Sequence, residues 1–112
     1  MMVHTMNLQE EPFQMIKEKT KTIELRLYDE KRRTIKPGDM IAFNNNHTEE
    51  ILKVKVIALH IFENFEELYK HFDKISMGYR LEETANPKDM EAYYDKEKIE
   101  KYGVVGIEIE LI

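Results

Sequence analysis

The hydrophobic period of this chain changes twice, and that change limits the folds open to it. From Thr22 the residues alternate, with Ile23, Leu25 and Leu27 on one side and Thr22, Glu24, Arg26 and Tyr28 on the other. A period of two means a strand with one face on a core. Met40-Ile41-Ala42-Phe43 and the long run Ile51 to Phe62 continue in β fashion, with a slip near Val56-Ile57 that points either to a bulge or to a strand buried on both faces. At Asn64 the spacing changes: Phe65, Leu68, Tyr69 and Phe72 lie three and four apart, as on an amphipathic helix capped by Asn64. Asn86-Pro87 opens a second helical segment, and Glu97 to Tyr102 is a further helical turn ended by Gly103. Val104 to Ile112 then returns to period two, with Val105, Ile107, Ile109 and Leu111 on one face.

The N-terminal pieces fit the same scheme. Met2 to Leu8 reads as an edge strand. Glu10 to Lys19 reads as a short helix, with Pro12 in its first turn and lysines at its end. Pro37-Gly38-Asp39 and Asn44-Asn45-Asn46-His47 are turns, the asparagines supplying left-handed conformations. The order is strand, helix, several strands, helices, last strand. It predicts an α+β domain spanning 1–112: a small, mostly antiparallel β-barrel with helices packed at its ends. The terminal strands are expected to pair inside one sheet.

Several function classes drop out early. The chain has 112 residues and no cysteine, so disulfides, thiolate metal sites and cysteine nucleophiles are excluded. His4, His47, His60 and His71 form no pair at three or four residues, so no metal is expected. The four glycines are dispersed and build no phosphate cradle, and the only serine, Ser76, sits in no nucleophile elbow. No cofactor is implied. No apolar run approaches the roughly 20 residues of a membrane span, and no signal peptide is evident. No membrane association and a cytoplasmic location are therefore expected.

Charge is distributed unevenly. The net charge is -5, yet the segment from Gln14 to Lys36 carries +4, leaving -9 on the remainder. A local basic patch on an acidic body suits an anionic ligand without indiscriminate polyanion binding. Solvated charged loops would look the same. Within the patch, Lys21, Glu24 and Arg26 place an ammonium, a carboxylate and a guanidinium within six residues. They form either an ordinary surface ion pair or the floor of a polar pocket, where Arg26 offers a fork to a phosphate, carboxylate or base edge. Tyr79, Tyr93 and Tyr94 either stack on bases or fill a core with a wet edge.

The stretch Lys19-x-Lys21-x-x-Glu24-x-Arg26 resembles the signature of the ASCH (activating signal cointegrator homology) domain, Gly-x-Lys-x-x-Glu-x-Arg. The helix around Phe13 and Ile16, the segment Ile35 to Phe43 and the ending Tyr94 to Ile107 resemble small bacterial members as well. The resemblance implies a PUA-like β-barrel and RNA or nucleotide-like ligands held in a cleft lined by Lys21, Glu24 and Arg26. Arg32 and Arg33 would then meet phosphate at its mouth, with Tyr79 or Tyr94 as cover. One departure is Lys19, where the signature has glycine, so either a positive φ or a different turn is expected there. A branch resembling the acetylcytidine amidohydrolases uses a threonine nucleophile at the position of Glu24. An amidohydrolase acting on a modified nucleoside, with Lys21 and Glu24 activating water, is therefore the alternative. A protein-interaction module using the acidic face is a third reading.

Overall fold

The computed structural model describes residues 1–112. The elements are β1 (Val3–Leu8), α1 (Glu10–Lys17), β2 (Ile23–Leu27), β3 (Met40–Asn45), β4 (Ile51–Phe62), α2 (Phe65–His71), α3 (Lys96–Tyr102) and β5 (Val104–Leu111). Two 3-10 turns, Arg32–Thr34 and Pro87–Ala92, complete them. The strands form one curled, half-barrel sheet in the order β1-β3-β4-β5-β2.

The expectation of a mostly antiparallel barrel needs correction. β1 runs parallel to β3, while the other three neighbours are antiparallel, so the sheet is mixed. The terminal strands share the sheet but do not pair: β1 lies against β3, and β5 lies between β4 and β2. The reason is α1, which carries the chain from β1 to β2 at the opposite edge and leaves β1 to be met by β3. The sheet therefore has two free edges, β1 and β2.

Two cores lie on the two faces. The larger joins Phe13 and Ile16 of α1 to Met6, Leu8, Ile41, Phe43, Val54, Val56, Val105, Ile107 and Ile109. The smaller joins Ile23, Leu25 and Leu27 of β2 to Phe65 and Leu68 of α2 and to Met77. The slip in β4 is a bulge: Val56 faces Ile109, and the next paired residue, Ala58, faces Glu108. The extra residue rephases the strand, so that Val54 and Val56 before it and Leu59 after it all face the larger core. α2 packs closely because residue 106 is glycine, where a Cβ would lie 3.0 Å from Phe72 and 3.1 Å from Ile23.

Local chemistry fixes the ends. Asn64 accepts from the Glu67 N–H at 2.9 Å, and Asn86 accepts from the Lys88 N–H at 3.0 Å, as helix caps do. Asp39 ties its turn to β1, accepting from the N–H groups of Met2 and Lys36 and lying 2.8 Å from His4 Nε2. The β3–β4 turn differs from expectation: its positive φ falls on Glu49, not on an asparagine. Asn45 acts through its side chain instead, fully buried and accepting from His47 N–H at 2.8 Å and Thr48 N–H at 3.3 Å.

Candidate functional site between the sheet edges

The site starts at the end of α1. Lys19 has φ +70°, and the N–H groups of Thr20 and Lys21 both turn back to Met15 O, at 3.0 and 3.1 Å. This left-handed turn closes the helix and drives the chain into β2. Lys21 is then held by three acceptors: Nζ lies 3.0 Å from Ile23 O, 2.9 Å from Met77 O and 3.2 Å from Glu24 Oε1. An ammonium has three donors, so all are committed. The Met77 carbonyl approaches because Gly78, at φ +103°, lets the loop lie against the lysine; a Cβ there would sit 3.0 Å from Lys21 Cδ.

Glu24 and Arg26 share a face of β2, two residues apart, and point to the same side as Ile107 and Val105 opposite them. Glu24 is 4 % exposed; its Oε2 accepts from Arg26 Nε at 2.8 Å and lies 2.7 Å from Arg26 Nη2 as an ion pair. Both carboxylate oxygens are therefore bound to cations. Burial pushes the Glu24 carboxyl up, but the charges of Lys21 and Arg26 and their hydrogen bonds outweigh it, and its pKa lies below the usual range. Burial opposes the charge on Arg26 as well, and Glu24 overcomes it, so Arg26 is held cationic.

Arg26 also spans the opening of the half-barrel. Its Nη2 donates to Asn7 O of β1 at 2.9 Å, joining the two free edges where no ladder exists. Its other terminal nitrogen, Nη1, makes none of these bonds, and the Tyr94 hydroxyl lies within interaction range of the guanidinium. A cavity of about 490 Å³ lies here, with Lys21, Glu24, Arg26, Tyr79 and Tyr94 in its wall. Tyr94 stacks on Phe65, ring centroids 6.1 Å apart at 15°, and burial raises its pKa. The Tyr79 hydroxyl sits 2.7 Å from Asp89 Oδ2 and 2.8 Å from the Tyr69 hydroxyl. With its proton given to the carboxylate, Tyr79 accepts from Tyr69; burial and these bonds push its pKa far up.

The structure thus brings together five of the seven cleft residues that the resemblance implies, with Tyr93 beside them in the wall. Arg32 and Arg33 lie outside the cavity wall. Arg32 folds back on Asp29, both guanidinium and main-chain N–H bonding that carboxylate at 3.1 Å. Arg33 donates to Tyr102 O at 3.2 Å and covers the Tyr28 ring at 4.3 Å. No group of three or more His, Cys, Asp or Glu side chains is placed to hold a metal, and no helix is long and apolar enough to cross a membrane.

The family model of the ASCH domain matches residues 6–112. The chain belongs to the ASCH domain family. Two solved structures resemble it over essentially their full length. The crystal structure of hypothetical protein PH0355 shares 40 % identity over 100 % of both chains, with a TM-score of 0.83. The solution structure of protein PF0455 from Pyrococcus furiosus shares 41 % identity over 98 % of this chain and 97 % of that one, with a TM-score of 0.71. A search of curated proteins finds no match.

The ASCH signature thereby acquires a geometry. Its lysine, glutamate and arginine are one buried relay, and its leading glycine position, Lys19 here, has the positive φ that the signature implies. Sequence reasoning missed the far wall. Asn7 and Gln9 follow from β1 lying across the gap, Tyr69 from α2, and Asp89 from the segment after α2 folding over it. The missed carboxylates also matter. Glu11, Glu24, Glu83 and Asp89 line the cavity with Lys21 and Arg26; Glu24 is buried and paired with both cations, while the exposed Glu11 (paired with Arg80), Glu83 and Asp89 make the lining acidic on balance despite the basic segment that leads into it.

Proposed function

We propose that this ASCH domain binds RNA by receiving a nucleobase or nucleotide-like group in the cavity between β1 and β2. The observation that carries the reading is the Lys21–Glu24–Arg26 relay. A buried carboxylate is braced between two cations, and it aims a guanidinium with free donors into a cavity with tyrosine walls. Arginine forks and tyrosine faces are the groups that recognise unstacked bases. Tyr93 is 63 % exposed and stands free to stack on an entering or neighbouring base. Phosphates would stay outside, where the exposed Arg33 could exchange Tyr102 O for a phosphate oxygen.

The hydrolytic alternative receives less support from the same atoms. A general base needs a free lone pair and a pKa near the working pH. Glu24 has both oxygens committed and a depressed pKa, and Lys21 has no donor or lone pair to spare.

A titration with short single-stranded RNA at two salt concentrations tests the proposal. Arg26→Ala would also unpin the sheet edges, so Tyr93→Ala is the cleaner variant. Loss of a stacking ring should weaken binding by at least about fivefold. With only one or two phosphates neutralised, affinity should fall less than about tenfold between 50 and 200 mM salt. RNA binding unaffected by Tyr93→Ala, in a protein whose melting is unchanged, would remove this cavity as the site.

A further inference from the structure

Resting on that reading of the cavity, we infer that the main chain of Leu25 reads the hydrogen-bonding edge of the inserted base. β2 ends the sheet, so one of its edges has no strand beside it. Its other edge pairs with β5: Thr22 O accepts from Ile109 N–H at 2.9 Å, and Tyr28 N–H donates to Gly103 O at 3.0 Å. Residues of an antiparallel strand direct their main-chain groups to alternate sides. The even positions therefore bond to β5, and Ile23, Leu25 and Leu27 turn theirs to the open side. Ile23 behaves accordingly, donating to Ser76 O at 3.0 Å and accepting from Lys21 Nζ at 3.0 Å. Leu25 is only 7 % exposed and lies in the cavity wall, yet its N–H and C=O find no partner in the chain.

Buried main-chain groups are nearly always paired, so an open pair facing a cavity marks a place where a ligand bonds. The N–H and C=O of one extended residue point the same way and ask for an acceptor beside a donor. Every nucleobase carries that doublet on its Watson–Crick edge. Charge selects the base over the phosphate, because the cavity holds four carboxylates against two cations and one cation, Lys21, is saturated. The occupant is a flat, neutral, unpaired base with an unmodified Watson–Crick edge, lying in the plane of β2 and continuing the sheet beyond its edge.

The test compares trinucleotide RNAs whose central base is each of the four standard ones with the same RNAs methylated on the Watson–Crick nitrogen. The best-bound RNA should lose at least about tenfold in affinity on methylation. Methylated cytosine and adenine are cations, which the carboxylates would favour, so their rejection reports the lost hydrogen bond. A protein carrying an ester in place of the Leu25 amide keeps the side chain and lacks the N–H. It should bind the unmodified RNA about tenfold more weakly; for cytosine and adenine, whose methylated nitrogen is the acceptor that the N–H would meet, the ester should leave binding of the methylated RNA unchanged. Equal affinity for methylated and unmodified RNA, or no effect of the ester, overturns the Leu25 assignment while leaving the cavity as a base site. No binding of any trinucleotide overturns the assignment and the cavity reading together.

Discussion

Replacing Glu24 by Gln should be among the most destabilising conservative changes in this protein. The carboxylate neutralises two cations from within the wall of the half-barrel, at 3.2 Å from Lys21 and 2.7 Å from Arg26. At an effective dielectric near 20, each contact is worth on the order of 5 kcal/mol before desolvation is subtracted. Glutamine keeps the shape but turns one end into a donor. That end must face either the Lys21 ammonium or the two Arg26 donors, and both cations then lie buried without a counter-charge. Breaking such a pair from one side costs about 3–5 kcal/mol. For a chain of this length the melting temperature should fall by roughly 15 °C. The relay makes a second, sharper demand. Lys21→Met leaves Glu24 and Arg26 as a neutral pair and strips a donor from Ile23 O and Met77 O, a loss of about 1–3 kcal/mol. Combined with Glu24→Gln it should be less destructive than the two losses added, because the doubly substituted site has one cation fewer to leave unpaired. Urea denaturation of the four proteins measures this. A Glu24→Gln loss below about 1 kcal/mol, or strict additivity, would show that the relay is not the electrostatic unit described.

Three further perturbations follow from particular residues. Lys19→Gly should stabilise the protein by about 0.5–1 kcal/mol in urea melts, because an exposed lysine at φ +70° carries strain that glycine lacks; a loss of stability would contradict the strained turn. Gly78→Ala should cost roughly 1–3 kcal/mol, since its φ of +103° and the 3.0 Å approach to Lys21 Cδ both oppose a Cβ, and unchanged melting would refute that packing. Asp39 is held at a pKa of about 2, below the 3.8 of an unperturbed carboxyl, chiefly by its hydrogen bonds to His4 and Met2 N–H. Its contribution is therefore complete above about pH 4 and lost as pH falls through 2. Asp39→Asn should flatten the acid limb of the stability profile in that window, and an unchanged slope there would refute the assignment.

The sequence disclosed what local chemistry decides. Alternation in β2 and β5 and the Asn64 and Asn86 caps depend on neighbours in the chain and were legible, whereas the β4 bulge and the left-handed Lys19 were each one of two readings that the sequence left open. Pairing was less so. The parallel β1–β3 contact is non-local, and nothing in the period of either strand distinguishes it from an antiparallel one. The same limit applies to the site. Lys21, Glu24 and Arg26 sit within one turn and strand, so their conjunction could be read directly. Arg33 looked free because Tyr102 reaches it only when the chain folds, whereas the partners Asp29 of Arg32 and Tyr28 of Arg33 lie three and five residues away and were overlooked. The acidic lining and the unpaired main chain of Leu25 belong to the gap between two strand edges, which exists only in three dimensions.

The central claim is that the gap between β1 and β2 is the ligand site, and an amide-resolved NMR titration with short single-stranded RNA addresses it most directly. The account predicts that the amides of Leu25, Arg26, Gly78, Tyr79, Tyr93 and Tyr94 shift together and saturate together. It also predicts that the Tyr93→Ala protein needs at least about fivefold more RNA to reach the same shifts. Shifts confined to the outer surface around Arg32 and Arg33, with Leu25 and Tyr79 unmoved, would contradict it.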